Sequence, residues 1–179
     1  MKLTDYIKLS EEQEVTLIGK TILSHAGPNG DRTIFTSEMS GKPWKGNFIC
    51  YNNKLTTLRG GPSSVSGHFD CSDNHLTSLE GAPTEVGSDL YCSNNDLTSL
   101  HDIHKIIKKM HGTFYCYSND IKSHVLGVLL IEDCLGISIS NLFIQSIFDK
   151  HLPNYRGFQG VLDCQNELLD HGYDEFARL

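Results

Sequence analysis

Six cysteines are the residues of this 179-residue chain with the most distinctive chemistry, because a thiol can act as a nucleophile, a metal ligand or half of a disulfide. Four of them follow one another at intervals of 21, 21 and 24 residues, namely Cys50, Cys71, Cys92 and Cys116. This spacing differs from the Cys-x-x-Cys pairs of zinc and redox sites. The first residues lack the long apolar stretch of a secretory signal, so we expect a reducing compartment and buried, structural thiols.

Other candidate sites for chemistry are weaker. The histidines His101, His104 and His111 lie near Cys116, and imidazole and thiolate both bind zinc. Their intervals are irregular and Cys116 is expected to face the core, so we interpret them as part of a polar helix face and predict no metal site. The sequence has no phosphate loop, no Gly-x-Ser-x-Gly and no His-Glu-x-x-His. We therefore predict neither a cofactor nor catalysis, and structural roles for Cys134 and Cys164.

A repeat surrounds the four regularly spaced cysteines. An apolar residue stands two positions before each Cys, an Asn three positions after it and a Leu or Ile five positions after it. The aligned columns are Phe48, Phe69, Leu90 and Phe114; Asn53, Asn74, Asn95 and Asn119; and Leu55, Leu76, Leu97 and Ile121. Four units with the frame apolar-x-Cys-x-x-Asn-x-Leu thus occupy residues 46–121.

The segments FICYNNKLTTL, FDCSDNHLTSL and LYCSNNDLTSL resemble the second half of the leucine-rich-repeat pattern, with Cys in one of the Leu columns. They are similar to the short repeats, of about 20 residues, found in bacterial effectors and in many phage-encoded proteins. The resemblance covers residues 46–121 and implies a short leucine-rich-repeat-like β-solenoid there. With the end segments described below, we expect an α+β fold with an N-terminal β cap and a C-terminal helical cap. The resemblance describes the architecture and leaves the partner open.

The columns predict which side chains face inward. The Phe and Cys columns are two residues apart, so on a strand they point to the same side, which we expect to be the core. The Asn column is expected to form a ladder whose amides satisfy backbone groups where the chain leaves the strand. The return segments GGPSSVS and GAPTEVG carry Gly and Pro, which predicts irregular structure.

Residues that alternate with the inward columns are expected to face outward and to form the binding surface. One outward column is Ile49, Asp70, Tyr91 and Tyr115, and the next is Tyr51, Ser72, Ser93 and Tyr117. Stacking of the repeats would bring Tyr91, Tyr115 and Tyr117 together. Tyrosines are enriched in protein interfaces, although sheets favour Tyr in any case.

The segments on either side of the repeats are expected to cover the edges of the stack. Residues 1–45 are predicted to form a β-hairpin cap around the turn at 27–30, with Trp44 at the junction. Residues 122–179 are predicted to form a helical cap, with a separate working domain left open. Ser140 is the expected N-cap of a helix over 141–152, and a second helix is expected between about 161 and 172.

The third return segment, residues 101–111, is longer than the others and is expected to be a short amphipathic helix. Its apolar residues fall at helical spacing, namely Ile103, Ile106, Ile107 and Met110. Its solvent side would carry the one basic cluster of the sequence, namely Lys105, Lys108 and Lys109.

Charge and hydropathy limit the function. The net charge is −7 and basic residues are not concentrated enough for phosphate binding, so we expect no nucleic-acid partner. No apolar run approaches the roughly 18 residues of a membrane helix, so we expect a cytoplasmic protein. We interpret the chain as a non-catalytic protein-binding module, and the resemblance suggests a phage-encoded factor that binds or inhibits a host protein in the host cytoplasm. The alternatives are a small enzyme in the C-terminal region and an acidic nucleic-acid mimic; the oligomeric state stays open.

Overall fold

The computed structural model describes residues 40–151 and 158–179, together with the strand Val15–Thr16. The fold is α+β, as expected, with two parallel sheets and a few helices. One sheet has six strands in the order β1 (Val15–Thr16), β3 (Phe48–Ile49), β5 (Phe69–Asp70), β7 (Leu90–Tyr91), β9 (Thr113–Tyr115) and β10 (Gly136–Ser138). The other has four, in the order β2 (Pro43–Trp44), β4 (Ser64–Val65), β6 (Glu85–Val86) and β8 (Lys109–Met110).

The repeat places equivalent residues side by side in the six-stranded sheet. Phe48 pairs with Phe69, Phe69 with Leu90 and Leu90 with Phe114, so the whole Phe column is in register. The rings of Phe48 and Phe69 are stacked with their centroids 5.8 Å apart. Each of these four side chains is at most 1% exposed, and full burial of such a side chain contributes about 1.5–3 kcal/mol.

The four-stranded sheet corrects the expectation that the return segments are irregular. Ser64–Val65 in the first return segment pairs with Glu85–Val86 in the second, and both strands are parallel. Gly and Pro keep these strands to two residues, but they do not prevent pairing. The reason is that the equivalent segment of the next repeat lies alongside. Its backbone groups offer hydrogen bonds that the composition of one segment does not predict.

The third return segment is only partly helical. The helix α1 spans Ile103–Ile106, and Ile107 already has extended dihedral angles (φ −100°, ψ 113°). Residues 109–110 then pair with β6, so the predicted helical position of Met110 was wrong. The backbone amide of Lys108 donates to the Thr84 carbonyl at 2.8 Å. Pairing with the open edge of β6 therefore outweighs the helical spacing of the apolar residues.

The C-terminal region adds one more strand before its helices. After a 3₁₀ helix, Val125–Leu130, that is buried except for Leu130, the strand β10 pairs with β9 and places Ile137 beside Phe114. Helices α2 (Leu142–His151) and α3 (Phe158–Asp170) follow. The N-cap of α2 is Asn141 and not Ser140, because Asn141 Oδ1 accepts from the amides of Phe143 and Ile144, each at 3.1 Å.

Helix α2 supplies a side chain that covers the edge strand of the larger sheet. The backbone amide of Ile139 donates to Gln145 Oε1, and Gln145 Nε2 donates to the Ile137 carbonyl, both at 2.9 Å. These are the groups that a further parallel strand would use. The Gln145 amide thus occupies two hydrogen-bonding groups at this edge.

At the other end, most of the predicted N-terminal hairpin lies outside the described residues. The described part shows Val15–Thr16 parallel to β3. Trp44 lies where it was expected, with its ring edge-on to Phe48 at 5.3 Å and 87°. Among the described helices, none has the length and apolar character that a membrane span requires.

Candidate binding surface

The turn that follows each strand of the repeats is built by the Asn column. Asn74 Oδ1 accepts from the amides of Asn53 and Leu55, both at 2.9 Å. Its Nδ2 donates to the Cys50 carbonyl of the preceding unit at 3.0 Å and to the Cys71 carbonyl of its own unit at 2.9 Å. One buried amide therefore joins two units at the point where the backbone turns away from the sheet.

The same arrangement recurs in the next two units. Asn95 Oδ1 accepts from the Leu76 amide at 3.0 Å, and Asn119 Oδ1 accepts from the Leu97 amide at 3.1 Å. The residue before each Asn has a left-handed backbone with φ of 53–54°, namely Asn52, Asp73, Asn94 and Ser118. Asn and Asp tolerate this conformation better than most residues and occupy the first three of these four positions, so sequence and geometry agree there. The ladder holds the strands in the register that aligns their outward side chains.

The cysteines beside this ladder are buried and free, with Cys50, Cys71, Cys92 and Cys116 each at most 2% exposed. Burial raises the pKa of all four thiols well above the usual range. Burial also raises the pKa of Cys134 to about 11 and of Cys164 to about 12. Because the thiolate is the reactive and metal-binding form, protonated thiols of this kind are structural.

The first outward column holds the closest aromatic contact of the candidate surface. Tyr91 and Tyr115 are paired in register, and their rings stack at 4.8 Å with an interplanar angle of 5°. Ile49 and Asp70 occupy the equivalent positions of the two preceding strands. All four side chains are half-buried. Since the column accepts Ile and Asp as well as Tyr, the fold does not require tyrosine there.

Tyr91 is held by a residue that the sequence analysis did not single out. Its hydroxyl donates to Asp89 Oδ2 at 3.1 Å. Burial first, and then the hydrogen bond and negative charge of Asp89, raise the pKa of Tyr91 to about 12. The His68 ring stands nearly edge-on to Tyr91, with centroids 6.0 Å apart. Asp89 and His68 belong to a third outward column, one residue before each residue of the Phe column. Extending the inward and outward alternation of each strand by one residue toward its N-terminus would have predicted this column.

The second outward column is less uniform than expected. Tyr117 is 45% exposed and Tyr51 is half-buried at the opposite end of the row. Ser93 was predicted to face solvent, but it is 1% exposed and its hydroxyl is buried with no hydrogen-bond partner in the described part of the chain. The second column therefore has two serines in the middle and a tyrosine at each end. The stacked tyrosines, Tyr91 and Tyr115, belong to the first column.

Within residues 40–151 and 158–179, no three His, Cys, Asp or Glu side chains are grouped as metal ligands would be. The His101 ring contacts the His124 ring edge-on at 4.7 Å, and His124 Nδ1 lies 3.1 Å from Ser99 Oγ. His111 Nδ1 is 3.6 Å from a carboxylate oxygen of Asp133. Burial lowers the pKa of His104 and of His124, which keeps both rings neutral near pH 7.

Open grooves also lie elsewhere in the described part of the chain. One, of about 550 Å³, runs over the four-stranded sheet and is lined by Trp44, Val65, Glu85, Lys109 and His111 among others. Lys109 contacts Glu132 at 2.7 Å and Asp133 at 2.9 Å, so its charge is already compensated.

Another groove, of about 390 Å³, lies at the C-terminal helices and has polar walls, including Lys150, Asp163, Glu167 and His171. Hydrogen bonds from Lys150 and His151 lower the pKa of Glu167. A carboxylate stabilised in its ionised form is a weak general base, so this geometry fits surface ion pairing better than catalysis.

No family model, no curated protein and no solved structure matches the chain.

Proposed function

We propose that the chain is a short leucine-rich-repeat-like solenoid of four repeats at residues 46–121, capped by residues 1–45 and 122–179, and that it binds another protein without catalysis. The proposed site is the outward face of the six-stranded sheet, formed by Ile49, Tyr51, Asp70, Tyr91, Tyr115 and Tyr117. Support for the architecture comes from the regular alternation of the chain between two parallel sheets and from the Asn ladder.

The observation that carries the binding proposal is the stacked pair of Tyr91 and Tyr115 on this face. The pair lies on a half-buried outer surface and not in the core, where Phe48, Phe69 and Phe114 already provide the packing. Tyrosine provides a large, rigid contact area with a polar tip, which is why it is common in interface hot spots. The resemblance to phage-encoded repeat proteins suggests a bacterial host protein as the partner, and the host cytoplasm as the compartment.

The proposal is tested by capture from a bacterial lysate. The wild-type chain is compared with the triple variant Y91A/Y115A/Y117A and with a matched control, T56A/T77A/T98A, in which three exposed side chains off the strand face are truncated. Circular dichroism and thermal unfolding verify that both variants fold. We expect the tyrosine variant alone to lose the partner. Equal recovery of every partner by all three proteins would reject the face.

The enzyme alternative is favoured by one observation, the polar groove between α2 and α3 with its convergent charges. The depressed pKa of Glu167 argues against general base catalysis by this residue, as described above. The nucleic-acid mimic needs a regular row of carboxylates on one face. In the register of the sheet, Asp70 is instead flanked by Ile49 and Tyr91, so this alternative has less support.

A further inference from the structure

Along β3, β5, β7 and β9, the outward face of the six-stranded sheet combines carboxylates and tyrosines, and the three outward columns of these described strands contain no Lys or Arg. Its three outward columns along β3, β5, β7 and β9 are Asn47, His68, Asp89 and Thr113; Ile49, Asp70, Tyr91 and Tyr115; and Tyr51, Ser72, Ser93 and Tyr117. We propose that the partner presents an arginine-containing basic segment to this face, with guanidinium groups stacked on the tyrosine pair and paired with Asp70 and Asp89. This inference rests on the proposed protein-binding function and specifies the chemistry of the partner.

The two carboxylates are positioned by the fold but keep acceptor capacity. Asp89 Oδ1 accepts from the Thr113 amide at 2.8 Å, while Oδ2 accepts from the Tyr91 hydroxyl. Asp70 Oδ1 accepts from the Ser72 amide at 2.9 Å. A carboxylate has about four acceptor positions, so each retains room for a donor from outside.

Neither carboxylate is neutralised by a cationic side chain of the face. Asp70 has no ion pair within the described residues. The His68 imidazole lies beside Asp89, with its Nδ1 3.8 Å from Oδ2, beyond hydrogen-bond distance. The local potential is therefore negative, and a cationic partner would be attracted to this face.

The tyrosine pair offers a platform for a planar cation. Tyr91 covers one face of the Tyr115 ring, since the two rings are parallel at 4.8 Å. On the other side of Tyr115, the next strand carries Ser138 in register, whose side chain is much smaller than a tyrosine ring. A guanidinium group can stack on this ring face and reach a carboxylate with its N–H groups, whereas an ammonium group cannot stack in this way.

Partners of other chemistry fit the face less well. An apolar segment would bury Asp70 and Asp89 without compensation, which is costly for ionised groups. A nucleic acid would be repelled by the same two charges. A basic segment is the class that satisfies carboxylates and rings together.

The inference is tested with fluorescein-labelled short peptides of alternating Arg and Ser, Lys and Ser, or Glu and Ser, titrated with the full chain by fluorescence anisotropy at low and moderate salt. We expect the Arg peptide to bind most tightly, the Lys peptide more weakly and the Glu peptide not at all. The variant D70N/D89N should weaken the Arg peptide by about fivefold to thirtyfold, because two charge pairs on a partly exposed face are lost.

The charge substitutions are expected to preserve the fold. Asp89 accepts from the Thr113 amide, and Asn47, in the same column, makes the equivalent bond by accepting from the His68 amide through Oδ1 at 2.8 Å. An asparagine in place of Asp89 can therefore keep this bond. The control variant E80Q/D96N makes the same change in net charge at exposed carboxylates off the strand face. We expect its affinity to stay within about twofold of the wild type.

Several results would overturn the inference. Equal binding of the Arg and Glu peptides, or equal losses in the two charge variants, would show that these carboxylates do not select a cation. Equal binding of the Arg and Lys peptides would refute stacking on Tyr115. If the lysate partner requires the tyrosines but binds D70N/D89N normally, the protein-binding function stands and the basic-partner inference fails.

Discussion

Replacement of Asn74 by Ala tests the Asn ladder that aligns the strands. The substitution removes the acceptor that the Asn53 and Leu55 amides share and the donor to the Cys50 carbonyl, and all three bonds are buried. The Cys71 carbonyl keeps a bond from Asn95 Nδ2 at 3.1 Å. A buried polar group that loses its partner costs about 1–3 kcal/mol, so the loss of these three bonds predicts a decrease of about 3–9 kcal/mol in the free energy of unfolding.

The measurement is urea unfolding monitored by circular dichroism, with Asn166→Ala on the exposed side of α3 as the matched control. The control makes the same chemical change at a helical surface site, where Ala is the better helix former, so we expect no loss of stability. Asn119→Ala should cost less than Asn74→Ala, since Asn119 is only half-buried. If Asn74→Ala and the control unfold at the same urea concentration, the ladder does not stabilise the fold.

Asn74→Asp keeps the hydrogen-bond acceptor at this position but removes the amide donor. An aspartate can still accept from the Leu55 amide, but its charge would face the Cys50 and Cys71 carbonyls, which lie 2.9–3.0 Å from Asn74 Nδ2. Burial and these carbonyls should raise its pKa in the folded state above the unfolded value of about 3.9. The stability deficit should therefore be smallest below about pH 4 and should grow as the pH rises. A pH-independent deficit would contradict this reasoning.

Three further predictions concern backbone contact, the sheet edge and the tyrosine pair. Gly87→Ala should cost more than about 2 kcal/mol, because a Cβ there would lie 2.1 Å from the Ser66 carbonyl oxygen. Gln145→Ala should expose the edge at β10, cost about 1–3 kcal/mol and promote self-association in light scattering. The pKa of Tyr91 in the folded state is raised to about 12, so the neutral phenol stabilises the fold fully below about pH 10, and this contribution is lost between pH 10 and 12. Ultraviolet titration of the phenols measures this change. Asp89→Asn should shift this titration to lower pH.

Controls for these predictions come from the same chain. A Cβ added by Gly172→Ala would have no atom within 4 Å, and the φ of +76° would strain the backbone by about 1 kcal/mol. This substitution should therefore lower the free energy of unfolding less than Gly87→Ala. Gln159→Ala removes an exposed hydrogen bond to Asp163 within α3 and should leave the protein monodisperse to the same degree as the wild type. A Gln145→Ala variant that scatters light no more than Gln159→Ala would show that the edge needs no cover.

Part of the fold and of the candidate surface could be predicted because the repeat spacing indicates which residues pair between neighbouring strands. The column containing Phe48 and Phe114 is buried, and Tyr91 lies against Tyr115, at positions that follow from counting residues. Prediction was poorer for positions that depend on the neighbours. Ser93 alternates correctly with Cys92, yet the surrounding structure buries it, and alternation alone contains no information on that.

The sequence by itself determined the columns, because residues that recur in the same local frame of each repeat must come to equivalent places when the units pair side by side. Tertiary contacts determined the secondary structure of segments whose own sequences favour neither helix nor strand strongly. The return segments became a second sheet, Met110 left the expected helix for a strand, and Gln145 closed an edge. The physical reason is that buried backbone amides and carbonyls must be paired, and the partner available to each is set by the neighbouring units and not by the residue's own sequence context.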